Sequence, residues 1–415
     1  MLSRGTLSKN RPGVIGVTGT VGKTSAKEAI YTVLRGLRET RHSRGNFNGE
    51  IGLPLTILGE WREAEERLLS REYPPGKSRI RKLFFLLKVI FISLNRLVWG
   101  WRSSYPELLI LEYGADKPGD IKNLLTIAKP QIAVVTAVGE IPAHVEFYSG
   151  PEAVAREKSR LVESLPSNGF AILNADDEWV LNMKEKTRAH VITFGFSAEA
   201  EVRITNFELR TENGKPAGIS FKLEYGGSFV PFRINHAFGR PVAYAAAAAA
   251  AVGICFGMHL IRIAEALAFF EPPAHRMKII PGIKGTLLLD DSYNASPLSM
   301  AAAIETVKAI EAPRKIAILG DMLEIGKFAM EAHENIGKLV PKVFDILIAV
   351  GPRAKFIAEA AIEEDLGKRS VFTFDQVDET LMGKIVDLIK KGDLILIKAS
   401  WAMGFTRIVH AIKQI

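Results

Sequence analysis

The chain has 415 residues, 47% of them hydrophobic and 24% charged, which excludes a disordered protein and leaves room for two or three domains, each with its own core. A single cysteine, Cys255, excludes intramolecular disulfides and a cysteine-rich zinc site, and the short basic segment Met1 to Arg11 lacks an apolar signal core, so a cytoplasmic protein is expected. The net charge of +8 is concentrated among apolar residues rather than among stacking aromatics, which argues against a nucleic-acid binder.

The first predicted unit is strand, loop, helix. The apolar run Val14 to Thr18 leads into Gly19-Thr20-Val21-Gly22-Lys23-Thr24-Ser25, and a helix follows from Thr24 with Ala26, Ala29, Ile30, Val33, Leu34 and Leu37 on one face. Glycines let backbone N–H groups curl around an anion, Lys23 can reach outer phosphates, and the Thr24 hydroxyl can coordinate Mg²⁺. The spacing departs from the common phosphate-loop pattern, because Gly19 lies too near Gly22 and Gly16 one residue too far. A nucleoside triphosphate is the expected ligand.

Between Arg71 and Arg102 the chain carries Lys77, Arg79, Arg81, Lys82, Lys88 and Arg96 against the single acid Glu72. These basic residues surround an apolar run from Leu83 to Trp101. On a helix Arg81, Lys88, Asn95 and Arg102 form one narrow polar stripe, and apolar residues cover most of the rest. Two readings stand together: a helix over about 79–102 lying at a membrane surface, or one buried against another domain or a second copy with its basic side chains snorkelling. A transmembrane span is disfavoured because Lys88 and Arg96 interrupt a barely sufficient length.

Buried-type strands are predicted at Leu108–Leu111, Ile132–Val138 and Phe170–Asn174, with site residues at their ends. Alternation from Glu201 to Ile234, with turns at Asn213-Gly214 and Gly226-Gly227, predicts antiparallel hairpins. An alanine-rich helix from about Pro241 to Cys255 follows. The break at Glu271-Pro272-Pro273 reads as a domain boundary. Beyond it, strands at Thr286–Asp290, Lys315–Leu319, Ile346–Val350, Val371–Phe374 and Leu394–Ile397 alternate with helices, the pattern of a doubly wound sheet.

Six blocks, in order, resemble the Mur ligases and most closely their MurF type, which adds D-alanyl-D-alanine to a nucleotide-linked muramoyl tripeptide. They are Thr18 to Ser25, Gly45 to Thr56 (GNFNGEIGLPLT), Leu111 to Gly114 (LEYG), Ala143 to Glu146 (AHVE), Asp290 to Pro297 (DDSYNASP) and Leu319 to Gly326 (LGDMLEIG). The resemblance implies an α/β protein with a central P-loop ATPase domain, a mostly parallel sheet plus antiparallel hairpins, and a Rossmann-like doubly wound C-terminal domain. The expected boundaries are a tail at 1–10, the ATP-binding domain at 11–271 and the C-terminal domain at 272–415. The resemblance begins at the phosphate loop, so the family's substrate-nucleotide domain is expected to have no counterpart, and a lipid-linked acceptor at the inner membrane surface or a separate protein supplying that domain are the expected possibilities.

The implied activity is ATP-dependent amide bond formation through an acyl phosphate, on a muramoyl-peptide acceptor with D-alanyl-D-alanine or a related amino acid or dipeptide, in peptidoglycan synthesis. The same chemistry on a folate or polyglutamate acceptor, and a nucleotide-binding scaffold that no longer ligates, are the alternatives. The resemblance implies that Gly19, Thr20, Gly22, Lys23, Thr24 and Ser25 hold ATP, and that Thr24, Glu112, His144 and a carbamylated Lys158 hold Mg²⁺. It also implies that Arg276 comes over the γ-phosphate, and that Asp290, Asp291, Tyr293 and Asn294 face the nucleotide. Asn46, Asn48, Asp321, Glu324, His333, Lys398 and Ser400 are the implied substrate residues. The chain departs from the family at Gly49, Ala137, Arg160 and the segment Gly239 to Ala245, which lacks polar side chains near the adenine. Lys398-Ala-Ser-Trp401 stands where Lys-Gly-Ser-Arg is usual, removing an arginine that would clamp a carboxylate.

Overall fold

The computed structural model describes residues 1–43, 45, 47–69, 79–99 and 105–414. Two sheets organise it. The first contains β1 (Gly13–Thr18), β2 (Thr40–His42), β3 (Leu108–Glu112), β4 (Ile132–Val135), β5 (Phe170–Asn174), β6 (His190–Gly195), β7 (Val202–Glu212), β8 (Lys215–Tyr225) and β9 (Ser228–Asn235), in the spatial order β2-β3-β1-β4-β5-β6-β7-β8-β9. Pairing is parallel as far as β7 and antiparallel through β8 and β9. Chain order reverses on either side of β1, which opens a crevice at its C-terminal end.

Both faces of this sheet are covered, as fully apolar parallel strands require. Ile15, Val17, Ile110 and Val134 pack with the helices Lys23–Leu34 and Arg240–Cys255. Alanines let the second of these lie close, and a Cβ on Gly253 would stand 3.1 Å from Val33. Leu109, Leu111, Ala133 and Val135 face the helix Pro151–Glu163 through Leu161 and Val162.

The second sheet holds β10 (Lys278–Pro281), β11 (Leu287–Asp290), β12 (Lys315–Gly320), β13 (Ile346–Val350), β14 (Val371–Phe374) and β15 (Leu394–Lys398), ordered β10-β11-β15-β12-β13-β14. Only β10 is antiparallel to its neighbour. Helices cover both faces, so the two cores are separate layers on one doubly wound sheet. Val145 and Val154 of the first unit share a core with Met277 and Met300 of the second, which seats the units against each other.

Several expectations are corrected. The segment 1–10 is a helix, Leu2–Asn10, with Gly5 against Leu97 and the Lys9 ammonium donating to the carbonyls of Arg96 and Leu97. β4 stops at Val135 because the next residues are used by the phosphate loop: the Thr136 hydroxyl donates to Val21 O at 2.6 Å, and Ala137 O accepts from Thr20 N. The first long helix ends at Leu34, leaving Leu37 exposed. Strands β2, β6 and β10 escape the sequence reading.

The basic insert forms the helix Arg79–Trp99. Its Phe85, Val89 and Ser93 are buried against Leu55, Leu58 and Trp61, and the Trp61 and Phe85 rings meet edge to face at 5.5 Å. The reading of a buried helix therefore holds for one face only. Arg71, Lys77 and Arg102 lie outside the described residues. No helix of the described residues is long and apolar enough to cross a membrane.

Candidate active site

The loop after β1 is shaped by two glycines with left-handed φ, Gly19 at 144° and Gly22 at 86°. A Cβ on Gly19 would stand 2.1 Å from the Thr136 hydroxyl, so only glycine fits there. The Lys23 ammonium folds back onto Gly19 O (2.9 Å) and Thr20 O (3.2 Å). Desolvation lowers its pKa, Glu112 opposes this, and the Arg276 charge adds to the lowering. Ser25 is half-buried on the first turn. The Thr20 hydroxyl is buried with no hydrogen-bond partner among the described residues. An orphaned hydroxyl on a glycine-shaped loop at a helix N-terminus is what an incoming phosphate oxygen would satisfy.

Glu112 ends β3, in register with Val17, and is buried. One carboxylate oxygen accepts from the Thr24 hydroxyl at 3.2 Å and the other from the Asn48 amide at 3.3 Å. The fully buried Lys27 ammonium stands 3.7 Å from Glu112 and 3.5 Å from Glu28, and donates to Gly45 O at 2.7 Å. Lys27 thus ties the segment after β2 to the Glu112 carboxylate. Sequence reading missed it, although a lysine one turn after Lys23 on a sheet-facing helix is the signal to look for. Asn46 lies outside the described residues.

His144, in a left-handed conformation, stands with Nε2 3.6 Å from Asp116 and Nδ1 2.6 Å from Glu324, so the side chain reaches from the first unit to the second. Lys158 is buried on the helix Pro151–Glu163 and has no hydrogen bond or ion pair among the described residues. Burial, reinforced by the Lys23 charge, pulls its pKa down to about 7. Of the four expected metal ligands, Thr24 and Glu112 are in direct contact, while His144 contacts carboxylates and Lys158 stands apart. Among the described residues no cluster of three or more His, Cys, Asp or Glu could hold a metal by itself. A hydroxyl and a carboxylate suit Mg²⁺, which takes its remaining ligands from phosphate oxygens and water.

The opposing wall comes from the second unit. Asp290 ends β11 and contacts His275 Nδ1 at 2.8 Å and the Ser292 hydroxyl at 2.7 Å. Asp291 pairs with the buried Lys398 ammonium at 2.5 Å, and Lys398 also donates to Asn294 O at 2.7 Å. Burial pushes the Asp291 pKa up and Lys398 opposes it. The Arg276 guanidinium lies 4.1 Å from the centre of the Tyr293 ring, and its charge acts on Lys23 and Asp291 alike. Lys398 and Asp291 therefore brace the turn that presents Arg276 and Tyr293.

Asp321, His333 and Ser400 are engaged inside the second unit. The Asp321 carboxylate accepts from the N–H groups of Arg353 and Ala354, at the start of a helix. His333 is fully buried, with Nε2 accepting from Met322 N at 2.9 Å and Nδ1 2.6 Å from Ala329 O. Desolvation lowers its pKa. The Ser400 hydroxyl accepts from Leu323 N. All three shape the loop that carries Glu324.

In the segment that departs from the family, the Arg240 guanidinium covers the Phe196 ring at 3.9 Å, and the Tyr244 hydroxyl donates to Asp176 at 2.7 Å. Asp176 also accepts from the N–H groups of Phe196 and Ser197. This cluster of aromatic, cationic and acidic groups was not legible beforehand, because its members come from three separate stretches.

Residues 92–253 match the family model for the Mur ligase middle domain, and residues 275–401 match that for the Mur ligase glutamate ligase domain. The UDP-N-acetylmuramoyl-tripeptide–D-alanyl-D-alanine ligase of Bacillus subtilis is 28% identical over 400 residues, covering 95% of this chain and 75% of that protein. The ligase of the same name from Mycobacterium tuberculosis (strain CDC 1551 / Oshkosh) is 30% identical over 420 residues, covering 96% and 72%. The solved MurF ligase of Thermotoga maritima in complex with ADP superimposes with a TM-score of 0.77 at 25% identity, over 99% of this chain and 81% of that one. By sequence along nearly all its length and by the geometry of its phosphate loop and opposing wall, the chain belongs to the Mur ligase family.

Proposed function

We propose that the chain is an ATP-dependent, ADP-forming ligase that joins a muramoyl-peptide carboxylate to the amine of D-alanyl-D-alanine or a related amino acid or dipeptide, in peptidoglycan precursor synthesis. The observation that carries this reading is the pairing of two cationic walls: Lys23 with the orphaned Thr20 hydroxyl on one side, and Arg276 on the other, close enough for its charge to lower the Lys23 pKa.

In the first step an acceptor carboxylate oxygen attacks the γ-phosphorus of ATP, the bond to the β-phosphate oxygen breaks, and ADP leaves. In the second, the neutral amine attacks the acyl carbon, inorganic phosphate leaves, and the nitrogen loses a proton. Both steps gather negative charge on phosphoryl oxygens. Gly19, Gly22 and Ser25 present N–H groups to the phosphates, Lys23 neutralises them, and Arg276 caps the γ-phosphate. Thr24 and Glu112 hold Mg²⁺, which supplies charge neutralisation for the transfer. Lys158, with a neutral amine available near pH 7, would take up CO₂ with loss of a proton, and its carbamate together with His144 would be the groups able to hold a second metal ion. Asp290, Asp291, Tyr293 and Asn294 form the nucleotide's outer wall. Asn48, Glu324, Lys398 and Ser400 line or brace the acceptor and amine sites, and Asp321 and His333 frame them. Trp401 in place of a clamping arginine favours an amine whose carboxylate is held elsewhere.

A second reading concerns the acceptor's carrier. The apolar outer face of the helix Arg79–Trp99 favours a lipid-linked form at the inner membrane surface. The test is ATP-dependent product formation followed by mass spectrometry, with UDP-linked and lipid-linked muramoyl tripeptide, each offered D-alanyl-D-alanine and a panel of amino acids. A mass gain equal to the amine less water identifies the pair. No product from any pair, with ADP still bound, overturns the ligase reading.

A further inference from the structure

The helix Arg79–Trp99 buries only one side. Opposite Phe85, Val89 and Ser93 it presents Leu83, Phe84, Leu87, Phe91, Leu94 and Val98, and Phe84, Phe91 and Val98 are 68%, 69% and 70% exposed. At 100° per residue these side chains fall within an arc of about 120° that no polar residue interrupts. From Leu83 to Val98 the stripe runs about 23 Å. Singly exposed apolar residues are ordinary, but a continuous strip of this length on a soluble surface marks an interaction site.

We infer that this face docks onto the surface of an anionic lipid bilayer, with the helix lying in the plane of the interface. Charge selects this occupant. Neither this helix nor the Leu2–Asn10 helix packed on it contains a carboxylate. Arg81 and Lys88 are exposed along one margin of the apolar arc, and Arg4, Lys9 and Arg11 are exposed on the neighbouring segment. Lys88 is paired with Glu65 at 2.6 Å and Lys9 donates to the carbonyls of Arg96 and Leu97, which leaves Arg81, Arg4 and Arg11 as the cations that meet headgroups. Pairing this face with the same face of a second copy would bring the two Arg81 margins together with no acid on either helix to answer them, since Glu65 of the helix Glu63–Arg67 is already held by Lys88. An amphipathic helix with an apolar face and basic edges gains from anionic headgroups and acyl chains together. Phe47, two residues beyond the Gly45 carbonyl that Lys27 holds, packs on the Phe85 and Val89 cluster, so the buried face of this helix adjoins the segment leading to Glu112. The docking itself does not depend on what the enzyme ligates.

The test is flotation of the full chain with vesicles of phosphatidylcholine alone and of phosphatidylcholine with phosphatidylglycerol at 3:1, at low and at 0.5 M salt. Binding is expected only with phosphatidylglycerol and should weaken in salt. Phe84→Glu with Phe91→Glu should abolish flotation, and Arg4→Gln with Arg81→Gln should weaken partitioning by about fivefold per charge. Unchanged thermal unfolding and ADP binding would show that these exposed positions leave the fold intact. Absence of flotation, equal flotation on both vesicle types, or flotation unaffected by the glutamates overturns the inference. So does a dimer, seen by sedimentation equilibrium without lipid, that the glutamates dissociate, since that result gives the face to a second copy.

Discussion

Lys158 offers the sharpest test of the proposed chemistry. Its amine is buried and has a pKa near 7, chiefly from desolvation. At pH 7.5 about three quarters of such amines are neutral, against about one in a thousand for an ordinary lysine. The form that attacks CO₂ is therefore enriched several hundredfold, and the carbamate anion gains from Mg²⁺ and from the nearby Lys23 charge. Stripping CO₂ and bicarbonate should lower turnover at least tenfold, reversibly, with the CO₂-dependent part shrinking as pH falls below about 7. Lys158→Arg, always cationic, should be inactive in either condition. The direct assay is a carbamate carbon signal with ¹³C-bicarbonate, present in the parent and absent in Lys158→Arg. Turnover indifferent to CO₂, or a signal that survives the substitution, would refute the reasoning. A stability effect accompanies this one. The folded pKa lies below the unfolded value of 10.5, so in CO₂-free buffer stability falls as pH drops from about 10.5 towards about 7, and the loss is complete below that. Lys158→Met should remove this slope.

Lys27→Met should cost about 3–5 kcal/mol, because it leaves Glu112 buried without its cation; denaturant unfolding reads this, and a loss below about 1 kcal/mol would show that Thr24 and Asn48 suffice. Gly19→Ala should abolish binding of a fluorescent nucleotide analogue, since its Cβ would collide with Thr136. His333→Ala should lower stability by about 1–3 kcal/mol through the unpaired Met322 N–H, with KM for ATP unchanged. Because the His333 pKa is depressed, the parent should lose stability as pH falls below about 6.5, and His333→Ala should flatten that limb of the profile.

What was legible in the sequence follows from which interactions are local. The phosphate loop stood out because its glycines, lysine and hydroxyl lie close together in sequence, and β3, β5, β12, β13 and β15 because buried parallel strands are largely apolar. β6 was missed because Val191 to Phe194 is too short a run for its period to separate strand from helix, and β2 and β10 because they lie at sheet edges. Lys27 was hidden because a lysine beside apolar positions reads as a snorkelling surface residue, whereas its ammonium is turned inward to a carboxylate 85 positions on in the chain. Asp321 and His333 carried the right motif, but no pattern says whether a polar side chain at a strand end faces the cleft or caps its own frame. For the basic helix, periodicity located the polar stripe; which face meets Trp61 depends on packing that only the tertiary structure supplies.

The contact between His144 and Glu324 gives the last prediction, because it joins a side chain of the first unit to one of the second. Both residues have left-handed backbone, φ 66° and 63°, a conformation that costs non-glycine residues of order 1 kcal/mol and survives where surroundings enforce it. Here the 2.6 Å approach of the carboxylate to Nδ1 opposes that cost. Glu324 is 39% exposed, so screening limits the pair to about 0.5–1 kcal/mol, which corresponds to a twofold to fivefold bias towards the closed arrangement. Glu324→Gln keeps the length and loses the charge. Without nucleotide it should shift the closed population down by that factor, read as a larger mean distance between fluorophores on the helices Arg240–Cys255 and Ala354–Glu363. Saturating ATP analogue should restore closure, since Arg276 would then be drawn to the phosphates independently of Glu324. An unchanged distance in the free variant would mean that the shared core of Val145, Val154, Met277 and Met300 alone holds the units together, and that the strain at His144 serves the site rather than the closure.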